Sequence, residues 1–162
     1  AAGMRCTKLV AEPTAANALL NLRNGAIVDV GGGTTGIAIL RDGEVVYTAD
    51  EPTGGTHFTL VVAGSLDIPF EDAETLKVNP AEQARLFPAL RPVMEKVGSI
   101  VNRHVRQSGV SVDQLTLVGG PCAFPGMAKV IEEYTGIPTR VPDRPVFVTP
   151  LGIAMHDLET PY

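Results

Sequence analysis

The chain has 162 residues, 44% of them hydrophobic and 19% charged, with a formal net charge of −5. That length supports one domain with a sizeable buried core, and the composition lies well away from that of disordered chains. The acidic balance and an aromatic content of 5% without Trp argue against a nucleic-acid or anionic-membrane partner, because neither a basic patch nor a stacking platform is present.

Cys6 to Ala11 reads as a short strand, and Glu12-Pro13 opens a helix through about Leu22, with Pro13 at the first helical position where its missing N–H costs nothing. Asn24-Gly25 stops it. Three β-rich runs follow, Ala26 to Val30, Gly36 to Arg41 and Glu44 to Ala49. A glycine-rich turn joins the first two and Asp42-Gly43, a strong hairpin signal, joins the last two, which predicts an antiparallel meander. Helical spacing begins at Phe58, Val61, Val62 and Ser65-Leu66 and leads into a short acidic helix around Glu71 to Lys77.

Pro80 begins a long helical region to Ser108-Gly109, with candidate breaks at Pro88 and Pro92. Its apolar face is Leu90, Val93, Val97, Ile100, Val101 and Val105. Leu115 to Val118 reads as a buried parallel strand ended by Gly119-Gly120. A helix over Pro125 to Thr135, a strand near Pro138 to Val141 and a helix over Pro150 to Leu158 complete the chain. The expected fold is α/β, a mixed sheet of three antiparallel strands followed by alternating helices and strands, between two helical layers.

Cys6 and Cys122 match no short metal-ligand or redox spacing and read as reduced thiols of a cytoplasmic protein. No apolar run reaches the roughly 20 residues of a membrane span. The N-terminus carries no basic segment ahead of a signal-peptide core. The reading is a cytosolic location with no membrane partner.

Asp29-Val30-Gly31-Gly32-Gly33-Thr34-Thr35-Gly36 places a carboxylate at a strand end, ahead of three glycines and two hydroxyls. Glycines admit positive φ and carry no side chain, so such a turn can aim backbone N–H groups at phosphate oxygens. Asp29 can hold water on a Mg²⁺ ion that the phosphates also bind. Alone, the octet also reads as a glycine-rich turn with a conformational role only. Leu117-Val118-Gly119-Gly120-Pro121 repeats the device at the C-terminal end of a buried strand, where α/β sheets bind ligands. Neither loop has the dinucleotide fingerprint or the P-loop spacing.

The octet resembles the second phosphate motif of the actin, sugar-kinase and DnaK-type chaperone ATPase superfamily. Glu12 to Ala16 resembles its first connecting motif, Leu115 to Pro125 its adenosine motif, and Thr149 to Ala154 its second connecting motif. Asp50 to His57 and Val148 to Ala154 resemble in particular the ethanolamine-utilisation branch. The resemblance implies a ribonuclease-H-like lobe over residues 26–162, with residues 1–25 as the tail of a first lobe that lies upstream and completes an ATP site. It implies that Gly31, Gly32, Gly33, Thr34 and Thr35 meet the β- and γ-phosphates. Asp29 would hold Mg²⁺ through water or orient the attacking water, beside which Glu12 would stand. Gly119 and Gly120 would approach the α-phosphate and nucleoside, and Lys96 and Ser99 would border the adenine.

Read from the residues alone, Glu12 is equally a cap of the Pro13 helix, and Lys96 and Ser99 a solvated helix surface. His57 follows Gly54-Gly55 where many superfamily members carry an acidic residue, and reads as a structural hydrogen-bonding residue. The resemblance further implies a chaperone-like ATPase with protein clients in ethanolamine breakdown, among them microcompartment enzymes. A scaffold ATPase of the cell-division or pilus-assembly type and a small-molecule kinase are the alternatives. An apolar face around Glu12 to Leu22 and Pro150 to Leu158, covered by the first lobe, would invite self-association where exposed.

Overall fold

The computed structural model describes Gly3 and residues 9–156. The first helix, α1, spans Glu12–Leu20 and ends on Asn21 in the left-handed conformation, with Pro13 in its first turn. Strands β1 (Gly25–Val30), β2 (Thr35–Arg41) and β3 (Glu44–Glu51) form the expected meander, each antiparallel to the next. Asp42 and Gly43 both take positive φ in the hairpin that joins β2 to β3, as a turn matched to strand twist requires.

Helices α2 (Gly55–Leu66), α3 (Phe70–Val78) and α4 (Pro80–Ser108) come next. Strand β4 (Leu115–Val118), helix α5 (Met127–Thr135), the two-residue strand β5 (Thr139–Arg140) and helix α6 (Val148–His156) complete the described chain. The sheet order is β3-β2-β1-β4-β5, with β4 parallel to both β1 and β5. Among the described residues no helix is long and apolar enough to cross a membrane.

Alternation along the central strands sorts the core into two layers. Ala26, Val28 and Val30 of β1, Ile37 and Ile39 of β2, and Leu115 and Leu117 of β4 pack with Phe58 and Val62 of α2, Leu90, Met94 and Val97 of α4, and Val130 and Ile131 of α5. On the other face Ile27, Leu40 and Val118 pack with Ala16 of α1 and Val148 of α6. Asp29 falls on this second face, at the C-terminal end of β1, and the register sets it opposite Val118 of β4.

Three expectations need correction or fall outside the described residues. Helix α4 runs unbroken through Pro88 and Pro92. Both prolines are exposed and, four residues apart, share one face, so the carbonyls they free turn toward water while the buried Leu86, Leu90, Met94, Val97 and Val101 hold the opposite face to the sheet. Most of the strand expected over Cys6 to Ala11 lies outside the described residues, and Leu9 to Ala11 are irregular. The end of the helix expected to reach Leu158 also lies outside them.

The apolar face around α1 and α6 is present. Leu19 of α1, Val146 and Phe147 ahead of α6, and Leu151 and Ile153 within it are all exposed.

Candidate functional site

A cleft of about 780 Å³ opens where β1 and β4 end, a size in the range of small-molecule sites. Asp29, Gly31 and Gly32 line it beside Gly119 and Gly120, with Glu12 from α1 and Thr149 from α6 on one side. Gly55, Thr56, Glu74 and Lys77 from α2 and α3 form the opposite side, and Phe70, Val78, Phe124 and Ile153 add apolar surface.

The glycine loop is built differently from the sequence reading in one respect. None of Gly31, Gly32 and Gly33 adopts positive φ. At Gly32 and Gly33 an added Cβ would meet nothing within 4 Å, so the loop borders open space. The Gly31 N–H closes the turn on Thr34 O at 2.9 Å, and among the described residues the amides of Gly32 and Gly33 make no hydrogen bond. Free amides beside open space suit an anion.

The loop is pinned from the segment after β3. Gly55 N–H donates to Gly31 O and Thr56 N–H to Gly32 O, both at 2.8 Å. The Thr56 hydroxyl adds a second bond to Gly32 O at 2.9 Å, and the buried Thr35 hydroxyl donates to Thr53 O at 2.6 Å. Gly54 sits so close that a Cβ there would lie 2.7 Å from Gly31 O and Thr34 N and 2.8 Å from Gly33 C. Gly54→Ala should therefore force the loop and the β3 end apart, at a cost of about 1–3 kcal/mol. An unchanged thermal melting curve by circular dichroism would contradict this packing. His57 is exposed and its Nδ1 accepts the Gly54 N–H at 3.2 Å, a cap on the start of α2.

Asp29 is the buried carboxylate of the cleft, 6% exposed. The Thr149 hydroxyl donates to its Oδ2 at 2.5 Å. Burial pushes the Asp29 carboxyl above its ordinary range; the Thr149 hydrogen bond opposes that shift and the nearby Glu12 charge adds to it. A carboxylate that burial and a like charge both disfavour gains from an incoming cation. Among the described residues no group of three or more His, Cys, Asp or Glu side chains is placed to hold a metal by itself. A metal here would draw most of its ligands from water and from a bound anion, as Mg²⁺ at phosphates does.

Across the cleft, the Lys77 ammonium lies 2.6 Å from Glu74 Oε2 and 2.8 Å from the Thr59 hydroxyl, which itself donates to Glu74 Oε2. Burial tends to raise the Glu74 carboxyl, but the Lys77 and Thr59 hydrogen bonds outweigh it and hold the group below its ordinary value.

The sequence-predicted residues therefore divide. Glu12, Asp29, Gly31, Gly32, Gly119 and Gly120 come together in one cleft. Gly33 and Thr34 complete the same turn and Thr35 braces it. Lys96 and Ser99 do not join them: both are exposed on α4, and Ser99 faces a separate shallow groove with Arg103, Arg106 and Tyr134. Lys77 lines the cleft instead. Its only sequence signal is the Glu74/Lys77 pair one turn apart on a short acidic helix, and nothing in that spacing shows α3 folding back over α2. Thr59, a buried hydroxyl in an apolar helix, carried a stronger signal of a polar partner.

Residues 6–149 match the family described as type IV pilus assembly protein PilM. The chain belongs to this family. The chain is also 43% identical over 159 residues to ethanolamine utilization protein EutJ of Escherichia coli (strain K12), covering 98% of this chain and 56% of that protein. A crystal structure of EutJ from Carboxydothermus hydrogenoformans superposes with a TM-score of 0.86 at 43% identity, over 91% of this chain and 55% of that one. MreB5 of Spiroplasma citri bound to AMPPNP superposes with a TM-score of 0.74 at 16% identity, over 91% of this chain and 58% of that one. The fold is that of the actin-like ATPases, and the resemblance to the ethanolamine-utilisation branch holds across nearly the whole chain. The chain spans about half the length of the EutJ proteins it matches.

Proposed function

We propose that this chain is the second nucleotide-gripping lobe of an actin-like ATPase that acts in ethanolamine utilisation, and that its cleft is half of a site for ATP with Mg²⁺. The observation that carries the reading is the convergence, at one sheet end, of the open Gly31–Gly33 turn, the Gly119-Gly120 turn and the buried Asp29. The likeness to EutJ and to a fold neighbour that binds AMPPNP supports it.

The residues present fit the group. The Gly32 and Gly33 amides, unbonded among the described residues and in an exposed turn, would receive phosphate oxygens, Asp29 would hold Mg²⁺ through water, and Gly119 and Gly120 would give the nucleoside a backbone-lined approach. Phe124, Phe70 and Val78 offer apolar surface to a base. Bound ATP with Mg²⁺ brings a transferable phosphoryl group whose displacement depends on positioning and charge neutralisation. Glu12, exposed at the cleft edge beside Asp29, would orient the attacking water.

Residues 1–25 form the tail of the first lobe and 26–162 the second lobe. The exposed Leu151, Ile153 and Phe147 lie under the first lobe in the whole protein, and self-association through this face follows when it is bare. The whole protein is cytoplasmic, and its chaperone-like action is on protein clients of ethanolamine breakdown, including microcompartment enzymes. The pilus-assembly family supports a second reading, a scaffold whose assembly nucleotide controls.

Labelled ATP separates these readings in the full-length protein. Release of free phosphate with client refolding supports the first, and nucleotide-dependent sedimentation the second. Label on a small metabolite would replace both with a kinase. This lobe alone should hydrolyse ATP at least about 100-fold more slowly, since half the charge-stabilising groups are elsewhere. Single-turnover rates matching the full-length protein would contradict the two-lobe site.

A further inference from the structure

Outside the cleft, one cluster of polar side chains stands on the route to it. His104 of α4 is 7% exposed, and both ring nitrogens are engaged. Nδ1 lies 2.8 Å from the Tyr47 hydroxyl of β3, and Nε2 lies 2.8 Å from Oε1 of Glu51, the last residue of β3. Arg103 reaches the same Glu51 oxygen at 2.5 Å. Hydrogen bonds from His104 and Arg103 hold the Glu51 carboxyl below its ordinary range. Ionised Glu51 can only accept, so Nε2 carries the proton toward it, and in the neutral ring Nδ1 accepts from Tyr47 O–H.

Glu51 does not line the cleft, yet two residues later Thr53 O receives the Thr35 hydroxyl. Gly54 then packs against the glycine loop with no room for a Cβ, and Gly55 and Thr56 bond to Gly31 and Gly32. The end of β3 and the loop thus form one packed unit. Glu51 stands two residues before a segment that packs directly on the glycine loop.

We infer that His104, bridging Tyr47 and Glu51, is a positioning residue that sets the Gly31–Gly33 loop for nucleotide through the Pro52–Thr56 segment. The inference rests on the ATP reading of the cleft. Tyr47, Glu51 and His104 do not line the cleft. Its effect comes from fixing where the Gly32 and Gly33 amides point.

The test is calorimetric titration of the full-length protein with ATP and Mg²⁺, well below the melting temperature of every variant. Glu51→Ala and His104→Ala should weaken binding about tenfold, since a displaced loop loses part of its oriented contacts. Glu51→Gln keeps an acceptor for Nε2–H and should stay within about threefold of wild type. Tyr47→Phe removes one oxygen with little risk to folding and should show an intermediate loss. Val101→Ala, a core truncation on the same helix, controls for general destabilisation and should leave affinity unchanged. If the wild type binds ATP and the Glu51, His104 and Tyr47 variants bind within twofold of it, or if Val101→Ala loses as much as they do, the inference is overturned while the cleft reading stands. If the wild type binds no ATP, the cleft reading falls and takes the inference with it.

Discussion

Gly119→Ala should be among the most damaging single substitutions in the chain, lowering stability by about 3 kcal/mol or more and Tm by about 6–12 °C. Gly119 has φ +96° and ψ 164°, a region that side chains rarely enter. An added Cβ would also lie 2.1 Å from Val30 O and 2.9 Å from Asp29 Oδ1. The first contact is with backbone at the centre of the sheet and cannot be relieved by a rotamer change, so β1 and β4 would have to separate at the ends that carry the cleft. The same substitution should abolish nucleotide binding in whatever protein still folds. A melting temperature within about 2 °C of wild type, where one kcal/mol is worth about 2–4 °C in a chain of this size, would contradict this geometry.

Asp29→Asn should separate stability from function. Folding raises the Asp29 carboxyl above its ordinary value of 3.8, so folding disfavours the charged form. The stability this group contributes is fully present below that ordinary value and is lost as the pH rises through the raised folded value. At neutral pH the ionised carboxylate therefore opposes folding. Asparagine keeps an oxygen for the Thr149 hydroxyl and removes the charge. The nucleotide-free variant should melt at or above the wild-type temperature at pH 7, and its stability should vary less with pH from about pH 4 upward. ATP affinity in the presence of Mg²⁺ should fall about 10- to 100-fold, the effect of losing one charge-assisted contact. A destabilised variant with unchanged affinity would reverse the assignment of Asp29.

Much of this architecture is legible in the amino-acid order because local signals agree. Asp42-Gly43 announces its hairpin, and the run Leu115 to Val118 has the apolar character of a strand buried on both faces. Gly31–Gly33 and Gly119-Gly120 are visible because two glycine clusters each follow a buried apolar strand, where α/β sheets bind ligands. The misreadings arise where tertiary packing outweighs a local rule. Pro88 and Pro92 look like helix breaks, but their spacing of four puts both on the solvent side of a helix whose other face is fully buried. Lys96 and Ser99 border an adenine only in what the superfamily resemblance implies; their own spacing reads as a solvated helix surface, and both are exposed on α4.

Lys77 and the Tyr47–His104–Glu51 bracket are beyond sequence reasoning for a related cause. Each joins residues from different elements, and their meeting depends on how α3 folds over α2 and where α4 crosses β3. No periodicity encodes those crossings.

The sheet end holding Asp29, Gly31–Gly33 and Gly119-Gly120 is, on this reading, half of an ATP site. Calorimetric titration of the full-length protein with ATP and Mg²⁺, beside Asp29→Ala, tests it most directly. Saturable one-site binding by the wild type, weakened at least about tenfold in the variant, is the predicted result. No heat of binding for a folded wild-type protein, or equal binding by both proteins, would contradict it.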